Sequence, residues 1–351
     1  MDTAQPTKRR FGFHRWLIVA LIVVSVFAVR AYAPVRPHVQ VAPEAVAGPI
    51  QVPLLGAMSL TNTMLALLLV DIVIFFVALG VRGAVKKGAP VLTGVAGVVE
   101  LLIEALYNLA ESTAGKSARR IFPWMATIIL VVLVANLTKL LPGFESIGWL
   151  HEAHGKIEGY PAQELFRVGQ LTVSTILPAA QESAAEGEAH LFTVTPFVRG
   201  LATDLNFTIA LALISVVVTQ VIGLSASGPG YLGKYFNFGR FGRMWTRKDL
   251  GPFDAIFPFL DIFVGFLELV AEVAKIISFS FRLFGNLFAG AVLMIIIGVL
   301  VPVFVPSGVM LFELFVGVIQ ALVFGMLTLV FMTMATQMHG GDQEHQPAKA
   351  H

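Results

Sequence analysis

Five apolar stretches dominate the chain: Leu60 to Gly80, Phe122 to Leu141, Leu201 to Leu224, Phe253 to Leu300 and Val309 to Thr336. Each reaches the roughly 20 residues that an α-helix needs to cross a hydrocarbon core. Lipid offers the backbone no hydrogen-bond partner, so runs of this kind fold as membrane helices. Only 13% of the 351 residues are charged, about half the share of a soluble domain. An ordinary globular enzyme and a disordered protein are thereby excluded. The absence of cysteine excludes disulfides, thiol nucleophiles and thiolate metal sites, and a net charge of +2 gives no footprint for nucleic acid. The expected fold class is an all-α membrane protein of five helices, the last two long and strongly tilted.

A shorter apolar run, Trp16 to Val29, follows Lys8, Arg9, Arg10 and Arg15 and precedes Ala31-Tyr32-Ala33. That order matches a signal peptide with its cleavage site. It equally matches an uncleaved anchor, a sixth span with Arg30 at the interface. The expected organisation is therefore a signal peptide or anchor over 1–33, an extracytoplasmic linker over 34–57, a membrane domain over 58–340 and a tail over 341–351.

Basic residues fall on one side of this layout. Arg82, Lys86, Lys87, Lys116, Arg119 and Arg120 lie between the first two long stretches, and Lys234, Arg240, Arg243, Arg247 and Lys248 between the third and fourth. These loops, including 225–252, are expected in the cytoplasm together with the C-terminus. The intervening loop 143–199 is then on the outside. It is long and acidic, and offers no recognisable chemistry. Within the first cytoplasmic connection, Glu100, Glu104, Asn108 and Glu111 share one helical face and Leu102, Leu106 and Leu109 another, an amphipathic surface helix.

Several motifs fail on context. Gly228-Pro-Gly-Tyr-Leu-Gly233 fits GxGxxG, and Gly228 to Lys234 nearly fits a P-loop, but Tyr235 stands where Ser or Thr must bind magnesium. A membrane span also replaces the strand that either motif requires, which leaves an aromatic-rich interfacial loop. His151 and His154 lack zincin spacing, and His339, His345 and His351 lie in a Gly/Gln/Pro tail. No cofactor is expected.

The stretch Phe253 to Leu300 would reach roughly 70 Å as one helix, so it must bend, break or tilt. Asp261, Glu268, Lys275 and Arg282 recur in it every seven residues, a spacing that keeps them on one face. Glu272, Ser278 and Asn286 stand four residues from Glu268 or Arg282 and widen the stripe. An Arg at membrane depth costs several kcal/mol unless it meets protein or water, so it marks a functional site. The structural alternative is an Arg paired to Glu268 or Glu313 to fix helix packing. In the last stretch Glu313 and Gln320 lie seven apart. Glu313 has no basic neighbour in its own segment and is expected to be an unpaired carboxyl able to exchange a proton. Gln320 alone could equally be an interhelical hydrogen bond.

Ser278-Phe-Ser-Phe-Arg282-Leu-Phe-Gly-Asn286 resembles subunit a of the F-type ATP synthase, the stator half of its proton channel. Asn136-Leu-Thr-Lys139-Leu-Leu-Pro142, Asp204-Leu-Asn206-Phe-Thr208, the placement of Glu268 and Lys275, and Gln320 in Ile319-Gln320-Ala321 extend the resemblance over nearly the whole chain after about residue 58. It implies a bacterial plasma-membrane subunit that is not catalytic by itself. The implied partners are a rotating c-ring of hairpin subunits, peripheral-stalk b subunits and, indirectly, the soluble head. It implies that Arg282 faces the ring between two aqueous half-channels. Glu268, Glu272, Lys275 and Ser278 would line the inner one. Asn286, Glu313 and Gln320, with Asn136, Asp204 and Asn206 as further candidates, would line the outer one.

Two positions depart from the family pattern. Ala291 stands where some members carry a carboxylate or histidine, so Glu313 is expected to serve the outer relay alone. Lys139 stands where members often carry an acidic or neutral residue, and is expected to snorkel to the outer interface. The rival readings are a proton-coupled secondary transporter and a membrane scaffold. The internal repeats of many transporters are not evident in the sequence.

Overall fold

A computed structural model describes residues 13–31, 41–53, 56–87, 92–141, 143–153, 159–169, 171–176, 191–235, 257–301 and 304–337. The loop basic residues from Arg240 to Lys248 and the histidine tail lie outside them. Seven α-helices are described: α1 (Phe13–Ala31), α2 (Asn62–Lys86), α3 (Val95–Ala114), α4 (Ala118–Thr138), α5 (Leu205–Ser227), α6 (Phe257–Leu300) and α7 (Val305–Gln337). Among the described residues five helical segments are long and apolar enough to span a membrane, and the apolar part of α1, Arg15–Ala28, is shorter. The protein is mostly helical, with its two longest helices at the C-terminal end.

The long apolar stretch does not break. α6 runs continuously for 44 residues, roughly 65 Å, about twice the hydrocarbon thickness. α3 and α4 are joined through a single 3-10 turn, Gly115–Ser117. On α3, Glu100, Glu104, Asn108 and Glu111 are exposed while Leu106 and Ala110 are buried.

The core forms where helical periodicity lines up apolar side chains. α4 contributes Ile121, Met125, Ile129 and Val132, α6 contributes Phe279, Leu283 and Leu287, and α7 contributes Ala321, Phe324 and Met332. These positions recur at three, four or eight residues and so form one stripe per helix. The Phe279 ring packs 5.3 Å from Phe324 and 5.5 Å from Phe331, centroid to centroid. Without a hydrophobic drive between helices in lipid, close approach depends on small residues and on interhelical hydrogen bonds. Both are present. Ser215 of α5 and Thr328 of α7 share a hydroxyl–hydroxyl bond of 2.8 Å, and Gly317 and Gly325 of α7 admit Asn136 and Ile129 of α4.

At Gly325 an added Cβ would fall inside the Ile129 side chain. Gly325→Ala is therefore expected to destabilise the protein by about 1–3 kcal/mol, the usual cost of overpacking. Thermal unfolding in detergent against Gly298→Ala, where a Cβ meets nothing within 4 Å, provides the check.

The all-α expectation needs one addition. Three antiparallel strand pairs occupy the connections: β1 (Ala45–Val52) with β2 (Gly56–Thr61), β3 (Gly148–Glu152) with β6 (Phe192–Pro196), and β4 (Ala162–Val168) with β5 (Leu171–Ile176). The first hairpin joins α2 through Asn62, whose side-chain oxygen accepts from the Glu44 amide at 3.3 Å.

Candidate functional site: two polar clusters flanking an exposed arginine

Arg282 lies on the exposed side of α6. Ala274, Ser278, Asn286 and Ala289 are exposed on the same helix and follow one another at three- or four-residue steps that keep them on one face with it. Its guanidinium lies 6.0 Å from the Phe279 ring centroid. Among the described residues it has no acidic partner. Glu268 and Glu313, the two carboxylates that could have neutralised it as a packing device, are each engaged by a lysine.

Toward the start of α6 is a cluster that the sequence reading only partly gathered. Glu272 is 8% exposed and its Oε1 accepts from Lys275 Nζ at 3.0 Å and Lys234 Nζ at 3.5 Å. Glu268 lies 3.7 Å from the same Lys234 ammonium. Lys275 sits 4.9 Å above the Phe331 ring of α7. Lys234 comes from a 3-10 segment, Gly228–Lys234, that continues α5, and it donates to the Tyr231 hydroxyl at 2.8 Å. The hydroxyls of Tyr231 and Tyr235 both donate to Gln220 Oε1, at 2.9 and 2.8 Å. Lys234, Tyr231, Tyr235 and Gln220 were missed by the sequence reading. The available signals were a glutamine in an otherwise apolar span and the i, i+3, i+4 spacing of Tyr231, Lys234 and Tyr235.

Beyond Arg282 a second cluster joins α4, α6 and α7. Glu313 is buried and pairs with Lys139 at 3.3 Å, their side chains 8% and 7% exposed. This corrects two expectations: Glu313 has a basic partner, and Lys139 does not snorkel. Lys139 follows α4 by one residue, and α4 packs along α7, so its amine meets Glu313 rather than solvent. The carboxylate lies against Gly290 of α6, where an added Cβ would come within 2.6 Å of Oε1. Asn136, 2% exposed, donates to the Gly317 carbonyl at 3.0 Å. Its own Oδ1 and the Oε1 of Gln320 are buried without a hydrogen-bond partner in the structure. Unsatisfied buried acceptors are uncommon and indicate sites for water or for a transferred proton.

Two outer-path candidates are not brought into this group. Asp204 is buried, but its Oδ1 accepts from the Asn206 amide at 2.8 Å as the N-cap of α5. Asn206 is exposed. Among the described residues neither hydrogen-bonds to Glu313, Asn136 or Gln320.

The two clusters are separate. Along α6, Glu272 precedes Arg282 by ten residues and Gly290 follows it by eight, about 15 Å and 12 Å of helix. The family model for the ATP synthase A chain matches residues 63–333. The chain belongs to that family. Among its curated relatives, the ATP synthase subunit a of Moorella thermoacetica is 24% identical over 270 residues, covering 77% of this chain and 88% of the relative. That of Citrifermentans bemidjiense is 25% identical over 266 residues, 76% of this chain and 82% of the relative. The Sulfurihydrogenibium sp. protein is 27% identical over 250 residues, 71% and 86% respectively. The matched region reaches from the second residue of α2 to within four residues of the end of α7, takes in both polar clusters, and leaves out α1 and the β1–β2 hairpin.

Proposed function

We propose that this member of the ATP synthase A chain family is the proton-translocating stator subunit of a rotary F-type ATP synthase. It presents two offset half-channels to a ring of hairpin subunits and separates them with Arg282. The carrying observation is an exposed arginine on a membrane helix, with no acidic partner among the described residues, between two polar clusters that do not meet. Such a charge is too costly to leave against lipid, so it is satisfied by a neighbouring surface.

A ring carboxyl facing lipid stays protonated, because the ionised form is prohibitive there. Beside Arg282 the positive charge favours the carboxylate, and the proton leaves. Proton delivery and removal belong to the flanking clusters. With the basic loops in the cytoplasm, Glu268, Glu272, Lys275 and Ser278 serve the inner path. Glu313, Gln320 and Asn136 serve the outer one, with Asn286 on the ring-facing surface between. Asp204, the N-cap of α5, and the exposed Asn206 make no hydrogen bond to this group among the described residues. Each charge crossing the membrane releases about 2.3 kcal/mol per 100 mV, which the ring carries as torque to the soluble head.

Cysteines at Ser278 and Asn286 are expected to cross-link to a cysteine on the outward face of the ring hairpins, whereas a cysteine at the exposed Phe75 of α2 is not. Recovery of the chain without ring subunits would favour the transporter reading instead, and cross-linking from Phe75 alone would put the ring on another face and overturn the role of Arg282.

A further inference from the structure

The segment Gly228–Tyr235 fails as a nucleotide motif, yet the helices beside it are shaped to receive it. A Cβ on Gly223 of α5 would fall inside the Tyr231 ring, and one on Gly265 of α6 would collide with the Tyr235 carbonyl. Tyr231 is 2% exposed. Burial pushes the Tyr235 phenol up to about 12 against the opposing hydrogen bond from Lys234, so its hydroxyl remains a donor. The two rings flank the Lys234 ammonium, with centroids 4.2 and 4.5 Å away, within cation–π range. The lysine is thus held by aromatic faces and a hydroxyl, and its distances to the two carboxylates, 3.5 Å to Glu272 and 3.7 Å to Glu268, are nearly equal.

We propose that Lys234 is a positioning residue of the inner proton path: seated between the two tyrosines, it supplies the charge that balances Glu268 and Glu272 and sets the pH range over which that path passes protons. The inference rests on the reading of the cluster before Arg282 as the inner half-channel. The charge count supports it. Among the described residues two carboxylates face two ammoniums, Lys234 and Lys275, so the set is neutral with both carboxylates ionised. The side chains of Glu268 and Glu272 are 31% and 10% exposed, a gradient from the open end of the path inward. Among the described residues the groups around Lys234 are Glu268, Glu272 and Lys275 from α6, Tyr231 and Tyr235 from its own segment, and Gln220 from α5. α7 contributes the Phe331 ring beneath Lys275, and its ionisable residue Glu313 lies 18 residues from Phe331, about 27 Å along the helix.

Without Lys234 the set carries a net negative charge in a partly buried site and regains neutrality by holding a proton more tightly. The test is ATP-driven acidification of inverted vesicles carrying the whole complex, recorded against external pH. In such vesicles the external medium bathes the cytoplasmic end, from which protons are taken up. In Lys234→Met the alkaline limb is expected to move up by about one pH unit, the scale of an opposite charge at this range. Lys234→Arg is expected to restore the wild-type limb. Glu268→Gln deletes a carboxylate while leaving the cation in its seat, and is expected to move the limb down. A purely structural lysine would lower the rate without moving the limb. Unmoved limbs in Lys234→Met or Glu268→Gln, with pumping abolished in Arg282→Ala, would overturn this role and leave the stator function standing. Pumping that survives in Arg282→Ala would overturn the reading beneath it.

Discussion

Replacing Arg282 by Ala is expected to reduce ATP-driven acidification of inverted vesicles to the level of vesicles without the complex, while the assembled amount of chain and ring is unchanged. The side chain is exposed and makes no ion pair among the described residues, so its removal breaks no described ion pair and gives up only the 6.0 Å approach to the Phe279 ring. The expected loss is therefore functional. Without the cation a ring carboxyl has nothing to favour its ionised form at the stator surface, and it passes still protonated. If Arg282 instead fixed packing by pairing with Glu268 or Glu313, its loss would lower stability and leave a buried charge. The structure gives both carboxylates to lysines, so a drop in assembly is the outcome that would revive that alternative.

The membrane architecture was legible in the sequence because one physical constraint fixes it: an apolar run of sufficient length has little option but to span. The periodicity of the α6 stripe was equally local, since a seven-residue repeat identifies a helical face whatever surrounds it. What sequence could not supply was the pairing between helices. Lys139 and Glu313 are 174 residues apart, and no local spacing connects them. Their meeting depends on how closely α4 approaches α7, which Asn136 against Gly317 and Ile129 against Gly325 determine.

At Asp204 the sequence carried a second, local signal. An Asp directly before an apolar helical run is an N-cap signature, and the structure shows that role, with Oδ1 accepting from the Asn206 amide. The strand pairs were hidden for another reason. β1 contains Gly48 and Pro49 and lacks the alternation that identifies a half-buried strand. At Gly228–Tyr235 the aromatic spacing is local, but the seat it gives Lys234 is completed by Gln220 of α5 and Glu268 and Glu272 of α6, which no local spacing connects to it.

The Lys139–Glu313 pair yields the other large effect. Lys139→Met is expected to leave a buried carboxylate uncompensated, a penalty of about 3–5 kcal/mol for a broken buried pair if the charge is retained. Glu313→Gln leaves the ammonium in the same position. Both single variants should lower the thermal stability of the purified complex and reduce ATP-driven pumping about tenfold or more, since each 1.4 kcal/mol at the limiting step is a factor of ten. The double variant, Lys139→Met with Glu313→Gln, removes both charges, and its stability should return close to wild type. Pumping should not return with it. A proton passing between the ring and the outer side needs a group that can accept and release it beside Gly290, and a glutamine cannot. Recovery of stability without recovery of pumping separates the structural part of the pair from its part in the relay. Full recovery of both would make Glu313 a packing residue and leave the outer path to water held at the buried, unpartnered oxygens of Gln320 and Asn136.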